Sequence, residues 1–225
     1  MQKLFFLFCL VLLSCSGKKE QTTQQSTKQV FINGVDISHH NKVQWDSLKT
    51  CNLDFVYIKA SEGKSYKDPK RIENYKIAKK YYSVGFYVFW KKEVSGKEHY
   101  KNFKEATKSC PTNLPPVLDL EDRVRDKATL LKTIKEVEIF SNLYMKEYKV
   151  RPIIYTWYDV AINIHTLNPT YKYWLNIGSR NVRNPHKPIS IPNYNKVPWV
   201  ILQCGKWNFN KGYIDLNYGI GQKNK

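Results

Sequence analysis

Short apolar segments with strand character recur along this chain, and their recurrence is the strongest constraint on its fold. Runs rich in β-branched and aromatic side chains, bounded by polar residues, predict strands. The predicted strands are Phe31–Ile37, Phe55–Ala60, Val84–Trp90, Val117–Glu121, Ile153–Trp157, Tyr173–Ile177, Val200–Cys204 and Tyr213–Leu216. The segment 30–225 can form one domain with a sizeable core but is too short for two ordinary domains, so we expect one shared sheet.

Helical patterns lie between the early strands, over Trp45–Lys49, Pro69–Tyr82, Gly96–Ser109 and Lys127–Lys149. Strand, helix and strand in this order predict parallel strands joined by right-handed crossovers. After Tyr173 the helical patterns fade and prolines fill the connections. We therefore predict an α/β fold, a single TIM-like β/α barrel with a helix-poor final third. An open doubly wound sheet competes with it, but no Gly-rich phosphate loop follows any predicted strand.

Closely spaced carboxylates follow one apolar strand pattern directly, in the segment Val117–Asp122. Residues two apart on a strand point to the same face, so Asp119 and Glu121 should project together. Their Cα atoms would be about 6.6 Å apart, and the side chains can close or widen that gap to the range between the acid and the partner carboxylate of a glycosidase. Taken alone, the pattern more often marks a strand that ends in a polar turn.

Further acids stand near the ends of two other predicted strands, Asp36 in the first and Asp215 in the last. The active site of a β/α barrel forms at the carboxyl ends of its strands, so these acids should meet Asp119 and Glu121. Carboxyl groups crowded in one cleft cannot all ionise freely. One is pushed toward its protonated form and can act as an acid, while a neighbour remains charged.

The first residues predict export. Lys3 precedes the apolar run Leu4–Leu13, which is too short to span a bilayer and is typical of a secretory signal core. The following Leu12–Cys15 resembles the lipobox of bacterial lipoproteins, in which the cysteine becomes the lipidated first residue of the mature chain. A plain signal peptide that is cut elsewhere is the alternative.

Three segments follow from this interpretation. Residues 1–14 form a lipoprotein signal peptide, residues 15–29 form a polar tether after lipidated Cys15, and residues 30–225 form the barrel. The tether lacks aliphatic and aromatic side chains up to Thr27 and cannot bury a core. We expect an exported protein anchored by lipid to the cell envelope, and the sequence leaves the choice of inner or outer membrane open.

A formal net charge of +18 favours polyanionic partners. The basic residues are scattered and form no single run, so we expect no nucleic acid among the partners. An exported, lipid-anchored protein meets the anionic polymers of the cell envelope first.

Three cysteines remain if Cys9 is removed with the signal peptide and Cys15 is lipidated. They are Cys51, Cys110 and Cys204. A bridge between Cys51 and Cys110 and a set of buried free thiols are both compatible with their positions.

A series of motifs in order along the chain resembles glycoside hydrolase family 25, a family of lysozymes. The motifs are Gly34–His40, Tyr57–Gly63, Gly85–Tyr87, Asp119–Glu121, Pro152–Thr156, Trp174, Gln203 and Ile214–Asn217. The resemblance covers the chain from Asn33 to Tyr218. It implies a barrel of five β/α units and three further strands, and N-acetylmuramidase activity on the glycan strands of peptidoglycan.

The resemblance also implies catalytic roles. Glu121 would be the general acid, and Asp119 would orient the acetamido group of the sugar in a substrate-assisted reaction, although more conventional routes stay open. Asp36 and Asp215 would hold the sugar and tune the other two carboxylates. The candidate substrate-binding residues are Tyr87, Tyr155, Trp157, Trp174 and Gln203. Core packing is the alternative role for their aromatic rings.

No cofactor is expected, and we expect a monomer. His39 and His40 are adjacent, but no third ligand follows at the spacing of a metal site, so we predict no bound metal.

Two positions depart from the pattern of the family and keep other functions open. Val88 follows Tyr87 where the family often has histidine, and Asn176 stands where alanine is common after Trp174. Both positions are expected to face the sugar. A lipoprotein that binds envelope glycan without cleaving it is therefore one alternative. A hydrolase of another N-acetylhexosamine polymer such as chitin is a second, although chitinases usually show a longer acidic run that ends in glutamate.

Overall fold

The computed structural model describes residues 30–121, 126–181, 199–209 and 212–221. The strands are β1 (Val30–Ile37), β2 (Phe55–Glu62), β3 (Tyr66–Lys67), β4 (Ser83–Phe89), β5 (Val117–Asp119), β6 (Ile153–Trp157), β7 (Tyr173–Asn181), β8 (Trp199–Phe209) and β9 (Gly212–Gly221). The helices are α1 (Trp45–Lys49), α2 (Arg71–Ala78), α3 (Gly96–Thr107), α4 (Lys127–Tyr148) and α5 (Tyr158–Leu167). Cys15, the predicted signal peptide and the predicted tether lie outside the described residues.

Eight of the strands close into a barrel in the order β1-β2-β4-β5-β6-β7-β8-β9, and β9 pairs back onto β1. Each neighbouring pair from β1 to β8 is parallel. Strand β9 runs antiparallel to both β8 and β1. The two-residue strand β3 pairs with the end of β2 and extends the sheet outside the barrel.

The prediction of a TIM-like barrel with five β/α units is wrong. A TIM barrel has eight parallel strands, each followed by a helix, whereas this one is a closed, mostly parallel barrel with few helices. Helix α1 has only five residues, and in the described part of the chain no helix follows β7, β8 or β9. The antiparallel direction of β9 has a physical cause. Two residues join Phe209 to Gly212, and a connection that short cannot cross back to start a parallel strand.

Several predicted elements differ from the structure at their ends. Strand β5 ends at Asp119, so Glu121 lies beyond the strand rather than on it. Strand β2 continues to Glu62 through a bulge after Lys59. Helix α5 and strand β3 are additional to the predicted elements. In α5 the buried side chains are Val160, Ala161 and Ile164, whose spacing is helical, but the segment follows β6 without any separating turn residue.

The alternation of side chains along the strands gives the barrel two apolar layers. In β2, Phe55 and Tyr57 belong to the cluster inside the barrel, while Val56 and Ile58 belong to the larger cluster under the helices. The inner cluster comprises Phe55, Tyr57, Val117, Ile153, Tyr155, Trp174 and Ile201. These rings and branched side chains fill the barrel below the ends of the strands.

Cys51 and Cys110 are both free, so the bridge considered from the sequence is not formed. Cys110 is buried and Cys51 is partly buried. The side chain of Cys204 lies outside the described residues. None of the helices in the described ranges is long and apolar enough to cross a bilayer.

Candidate active site

A cavity of about 350 Å³ opens at the carboxyl ends of the barrel strands. Eight of the predicted site residues line it: Asp36, Tyr87, Asp119, Glu121, Tyr155, Trp174, Gln203 and Asp215. Trp157 is not among its lining residues. Instead, the indole Nε1 of Trp157 donates a hydrogen bond of 3.2 Å to the backbone carbonyl of Glu121, so this ring holds the segment that carries the predicted acid.

A larger cavity of about 870 Å³ lies at the opposite end of the barrel. Among its described lining residues Asp54 is the one carboxylate, and its Oδ2 accepts a hydrogen bond from the backbone nitrogen of Asn33. The smaller cavity combines five carboxylates with two phenols and an amide side chain, so we identify it as the candidate active site on chemistry rather than size.

The antiparallel pairing of β9 with β1 brings two of the acids together, because Asp36 and Asp215 are directly opposed in the register. Opposed residues of an antiparallel pair have Cβ atoms about 5 Å apart. Burial raises the pKa of Asp36 to about 8, and the negative charge of Asp215 adds to the shift. Asp36 can therefore hold a proton at neutral pH.

Two amide side chains hold the carboxylate of Asp36. Asn217 Nδ2 donates to its Oδ2 at 2.7 Å, and Gln203 Nε2 donates to the same oxygen at 3.4 Å. Trp174 Nε1 in turn donates to Asn217 Oδ1 at 3.0 Å, and Tyr155 OH donates to Gln203 Oε1 at 2.6 Å. Trp174, Tyr155 and Gln203 were predicted to contact the sugar, and each of them also supports Asp36.

Asn217 and Asn176 also belong to this network, although neither was predicted as a catalytic or substrate-binding residue. Asn217 lies two residues after Asp215 on β9, and its register partner is Gly34 of β1. Asn176 Nδ2 donates to the hydroxyl of Tyr155 at 2.9 Å. Neither residue lines the cavity. An alternating polar pattern in an otherwise apolar strand was the available signal for Asn217.

Asp119 is the buried member of the predicted catalytic pair, whereas Glu121 is exposed. Burial raises the pKa of Asp119 well above its usual range, and the charges of Glu121 and Asp36 raise it further, while the ammonium of Lys59 acts in the opposite direction. Its Oδ1 accepts no hydrogen bond from any described residue. Asp119 and Glu121 can share one proton. Before the substrate binds, burial favours Asp119 as the residue that carries it.

The structure also defines the surroundings of Val88 and of the histidine pair. Val88 is fully buried in the cluster between barrel and helices and does not line the cavity, so the expectation that it faces the sugar is not met. His39 Nδ1 lies 2.8 Å from Oδ2 of Asp68, a buried carboxylate. Across the described parts of the chain, no group of His, Cys, Asp and Glu side chains is arranged to hold a metal ion.

Comparison with known proteins decides the family. The family model described as glycosyl hydrolases family 25 matches residues 35–198. This chain belongs to family 25. It is therefore a glycoside hydrolase of the lysozyme type. The match includes the acids at positions 36, 119 and 121, whereas Asp215 lies beyond it.

Two relatives of this family 25 enzyme share about a quarter of the aligned residues with it. Lysozyme M1 of Streptomyces globisporus is 24% identical over 203 residues, which are 83% of this chain and 67% of the relative. The uncharacterized protein YegX of Escherichia coli K12 is 27% identical over 142 residues, or 60% of this chain, and the match spans only about half of YegX.

Solved structures share the fold. A bacterial lysozyme from Streptomyces coelicolor has a TM-score of 0.67 at 22% identity, covering 85% of this chain and 93% of that one. A family 25 glycosyl hydrolase from Bacillus anthracis has a TM-score of 0.65 at 23% identity, covering 85% and 90%. A family 25 lysozyme from Aspergillus fumigatus has a TM-score of 0.63 at 24% identity, covering 85% and 95%.

We expect Asp36→Asn to flatten the pH dependence of stability. The pKa of Asp36 is raised from 3.8 to about 8, so the native state binds more protons than the unfolded state between these values. Stability must then fall as pH rises through this window. The asparagine keeps an oxygen for Asn217 and Gln203 but does not titrate. At pH 8 ionisation of the buried Asp36 lowers the stability of the folded protein. For each kcal/mol of this destabilisation that the asparagine removes, the melting temperature at pH 8 should rise by about 2–4 °C.

Thermal melts at pH 5, 6.5 and 8 measure this effect. The matched control is Asp46→Asn, because Asp46 is exposed and the hydrogen bond from Lys49 lowers its pKa. This control should not flatten the curve. Equal slopes for wild type and Asp36→Asn would show that the pKa of Asp36 is not raised in the folded protein.

Proposed function

We propose that this enzyme is an exported N-acetylmuramidase. It would cleave the β-1,4 bond between N-acetylmuramic acid and N-acetylglucosamine in peptidoglycan. The observation that carries the proposal is the cavity in which Asp36, Asp119, Glu121 and Asp215 meet. Membership of family 25 and the likeness to lysozyme M1 support the choice of substrate.

Glu121 is the group we assign as general acid. It is exposed just beyond the end of β5, where a bound glycan can reach it, while Asp119 lies deeper at the strand end. A protonated carboxyl at position 121 would donate its proton to the glycosidic oxygen as the bond to the anomeric carbon breaks. The carboxylate left behind then takes a proton from the water that completes hydrolysis.

Asp119 supplies the second half of the mechanism. Before the substrate binds, burial favours the proton on Asp119. When the acetamido group of the substrate donates its N–H to this carboxyl, the ionised form of Asp119 is stabilised, and the shared proton passes to Glu121. The acetamido oxygen attacks the anomeric carbon, and the carboxylate of Asp119 offsets the positive charge that develops on the acetamido nitrogen. One proton thus moves within the pair before it reaches the leaving oxygen.

The non-cleaving alternative has little support in the geometry. It rested on Val88 and Asn176, which were expected to face the sugar. Val88 points away from the cavity, and Asn176 supports Tyr155 from behind the lining. All four acids remain in place.

Localisation is a further part of the proposal. We propose that Cys15 is lipidated and that residues 15–29 connect the lipid to the barrel. The apolar run before Cys15 and the polar composition after it support this assignment.

Glu121→Gln should abolish hydrolysis and leave folding and glycan binding nearly unchanged, because the amide keeps the shape of the side chain but delivers no proton. Mass spectrometry of the fragments released from purified peptidoglycan is the measurement, and wild type should produce new reducing-end muramic acid. The control Glu93→Gln makes the same change at an exposed residue outside the cavity lining. Turnover by Glu121→Gln at the wild-type rate would remove Glu121 from the role of acid. Reducing-end glucosamine from wild type would contradict the proposed bond.

Asp119→Asn should lower kcat by about 10² or more and change binding much less, because the charge that it stabilises exists mainly in the transition state. A thiazoline analogue of the N-acetyl sugar mimics the cyclised intermediate. It should inhibit wild type and bind Asp119→Asn far more weakly. If the analogue fails to inhibit and the products show inversion at the anomeric carbon, Asp119 acts instead as the base for a water molecule.

Cys15→Ala should release an unlipidated, soluble protein when the full chain is expressed in a bacterial host. Metabolic labelling with a fatty acid, followed by fractionation of membranes, measures the outcome. Label that persists on the variant would show that Cys15 is not the lipidated residue.

A further inference from the structure

The end of the barrel opposite the active site carries an excess of basic residues. Five described segments connect a helix to the strand that follows it, and they lie at this end because the barrel strands from β1 to β8 are parallel. The segments are 50–54, 79–82, 108–116, 149–152 and 168–172. Together they contain six lysine or arginine residues and one acid, Asp54.

Five of the six basic residues keep their positive charge. Lys108 pairs with Glu105 at 2.9 Å and is set aside. Within the described ranges no carboxylate forms an ion pair with any of the other five, which are Lys79, Lys80, Lys149, Arg151 and Lys172. Their contacts are with neutral groups. Lys79 lies over the ring of Tyr75, Arg151 lies over the ring of Tyr171, and Lys149 Nζ donates to the backbone carbonyl of Lys146.

The acids that flank this end do not cancel that charge. Asp46 pairs with Lys49 at 2.8 Å, and Glu147 pairs with Lys104 at 2.7 Å. Glu138 accepts a hydrogen bond from the side-chain amide of Asn168 and keeps its own charge. The five cations outnumber Asp54 and Glu138, so this end of the barrel has a net positive charge.

Large apolar side chains are also exposed at this end. In the described part of the chain six large hydrophobic residues are exposed, and four of them are here, between 40% and 52% exposed. Two lie in the connecting segments, and the other two are the last residues of α4 and α5. We define the basic face as these four residues, Tyr81, Tyr148, Val150 and Leu167, together with the cations Lys79, Lys80, Lys149, Arg151 and Lys172.

The cavity of about 870 Å³ opens within the basic face. Val150, Arg151 and Lys172 line it, together with Ile32 of β1 and Ile201 of β8. Side chains from three connecting segments and from two strands at the closure of the barrel therefore surround one opening. The cations and the apolar side chains belong to one continuous end of the molecule.

The chain that precedes the barrel also enters at this end. Gly34 of β1 is the register partner of Phe55, the first residue of β2, so Val30 lies four residues before the start of β2. The predicted tether, residues 15–29, therefore joins the barrel at the basic face. Its fully extended length is about 50 Å at most. A domain of this size is about 40 Å across, so the tether keeps the barrel near a bilayer without fixing which side faces it.

We propose that the basic face docks on the surface of the bilayer that holds the lipid anchor. Its cations would contact the anionic headgroups of phospholipids, and its exposed tyrosine and aliphatic side chains would enter the interfacial region. This inference rests on the proposed anchor at Cys15 and goes beyond it. A second copy of the chain is a poor occupant of the face, because two net positive surfaces repel each other.

Docking in this orientation has a consequence for the active site. The catalytic cavity is at the other end of the barrel, so it would point away from the bilayer toward the glycan strands. Because the tether holds the barrel close to the membrane, even a weak affinity of the face for headgroups is enough to set the orientation.

Lysine labelling on vesicles tests the inference. The full chain is recovered from a bacterial host with its lipid and placed on vesicles of phosphatidylcholine alone or of an equimolar mixture of phosphatidylcholine and phosphatidylglycerol. An amine reagent is added, and mass spectrometry follows each lysine. Lys149 reports on the basic face. Lys97 is the matched reporter, since it is exposed at the start of α3, at the end of the barrel that holds the active site.

Lys149 should be labelled about threefold or more slowly on the anionic vesicles than on the neutral ones, because headgroups cover the docked face. Lys97 should be labelled equally on both. High salt should remove the protection of Lys149. The neutral vesicles hold the protein by the same lipid, so the difference measures docking and not anchoring.

Two pairs of substitutions locate the docking surface. Lys80→Gln with Lys172→Gln should abolish the protection of Lys149. Lys132→Gln with Lys135→Gln removes the same charge from exposed positions on α4, within the helix and away from the basic face, and should leave the protection in place. A melting temperature equal to that of wild type checks that each variant is folded.

Equal labelling of Lys149 on the two kinds of vesicle would overturn the inference. Protection that persists in Lys80→Gln with Lys172→Gln, equal protection of Lys97, or the same loss in the control pair would do so as well. The anchor fails separately, when wild type carries no fatty acid and does not remain on neutral vesicles. Sedimentation with anionic vesicles then tests the face alone, and the substitution of Lys80 and Lys172 should weaken that binding about tenfold.

Discussion

The antiparallel insertion of β9 between β8 and β1 is the constraint on which the site depends. It closes the barrel and places Asp215 opposite Asp36 in the register. It also brings Asn217 within 2.7 Å of the Asp36 carboxylate, where Trp174 holds it. With an open edge at β1, Asp36 would face solvent and its pKa would stay near the value of a free carboxyl. Closure therefore turns a strand-end acid into a buried, hydrogen-bonded one.

Two sets of effects set the pKa values of the buried carboxyls in opposite directions. Each buried carboxyl is destabilised in its ionised form, and neighbouring carboxyls increase this effect. The amides of Asn217 and Gln203 favour the ionised form of Asp36, and Lys59 favours that of Asp119. The result is a cluster in which the pKa of Asp36 is raised to about 8 and that of Asp119 is raised above its usual range. A cluster of this kind can retain a proton for transfer to a leaving group.

Basic groups stand among the acids of the cavity. Lys59 and Lys91 both pair with Glu62 and both contact the ring of Phe89. Phe89 is the register partner of Asp119 in the pairing of β4 with β5. The charge of Lys59 therefore acts on Asp119 from close by and favours its ionised form.

The sequence by itself determined the eight barrel strands, their approximate positions and the acids at their ends, because apolar alternation and residue order are local properties. It also carried the ordered motifs that mark family 25. Only the tertiary structure decided the antiparallel direction of β9, the burial of Asp119 against the exposure of Glu121, and the outward position of Val88. The approach of Lys91 to Glu62 and of Asn217 to Asp36 was also decided there, since these residues are far apart in the chain. Local pattern sets which segments are strands, but desolvation and charge depend on which distant segments the closed barrel brings together.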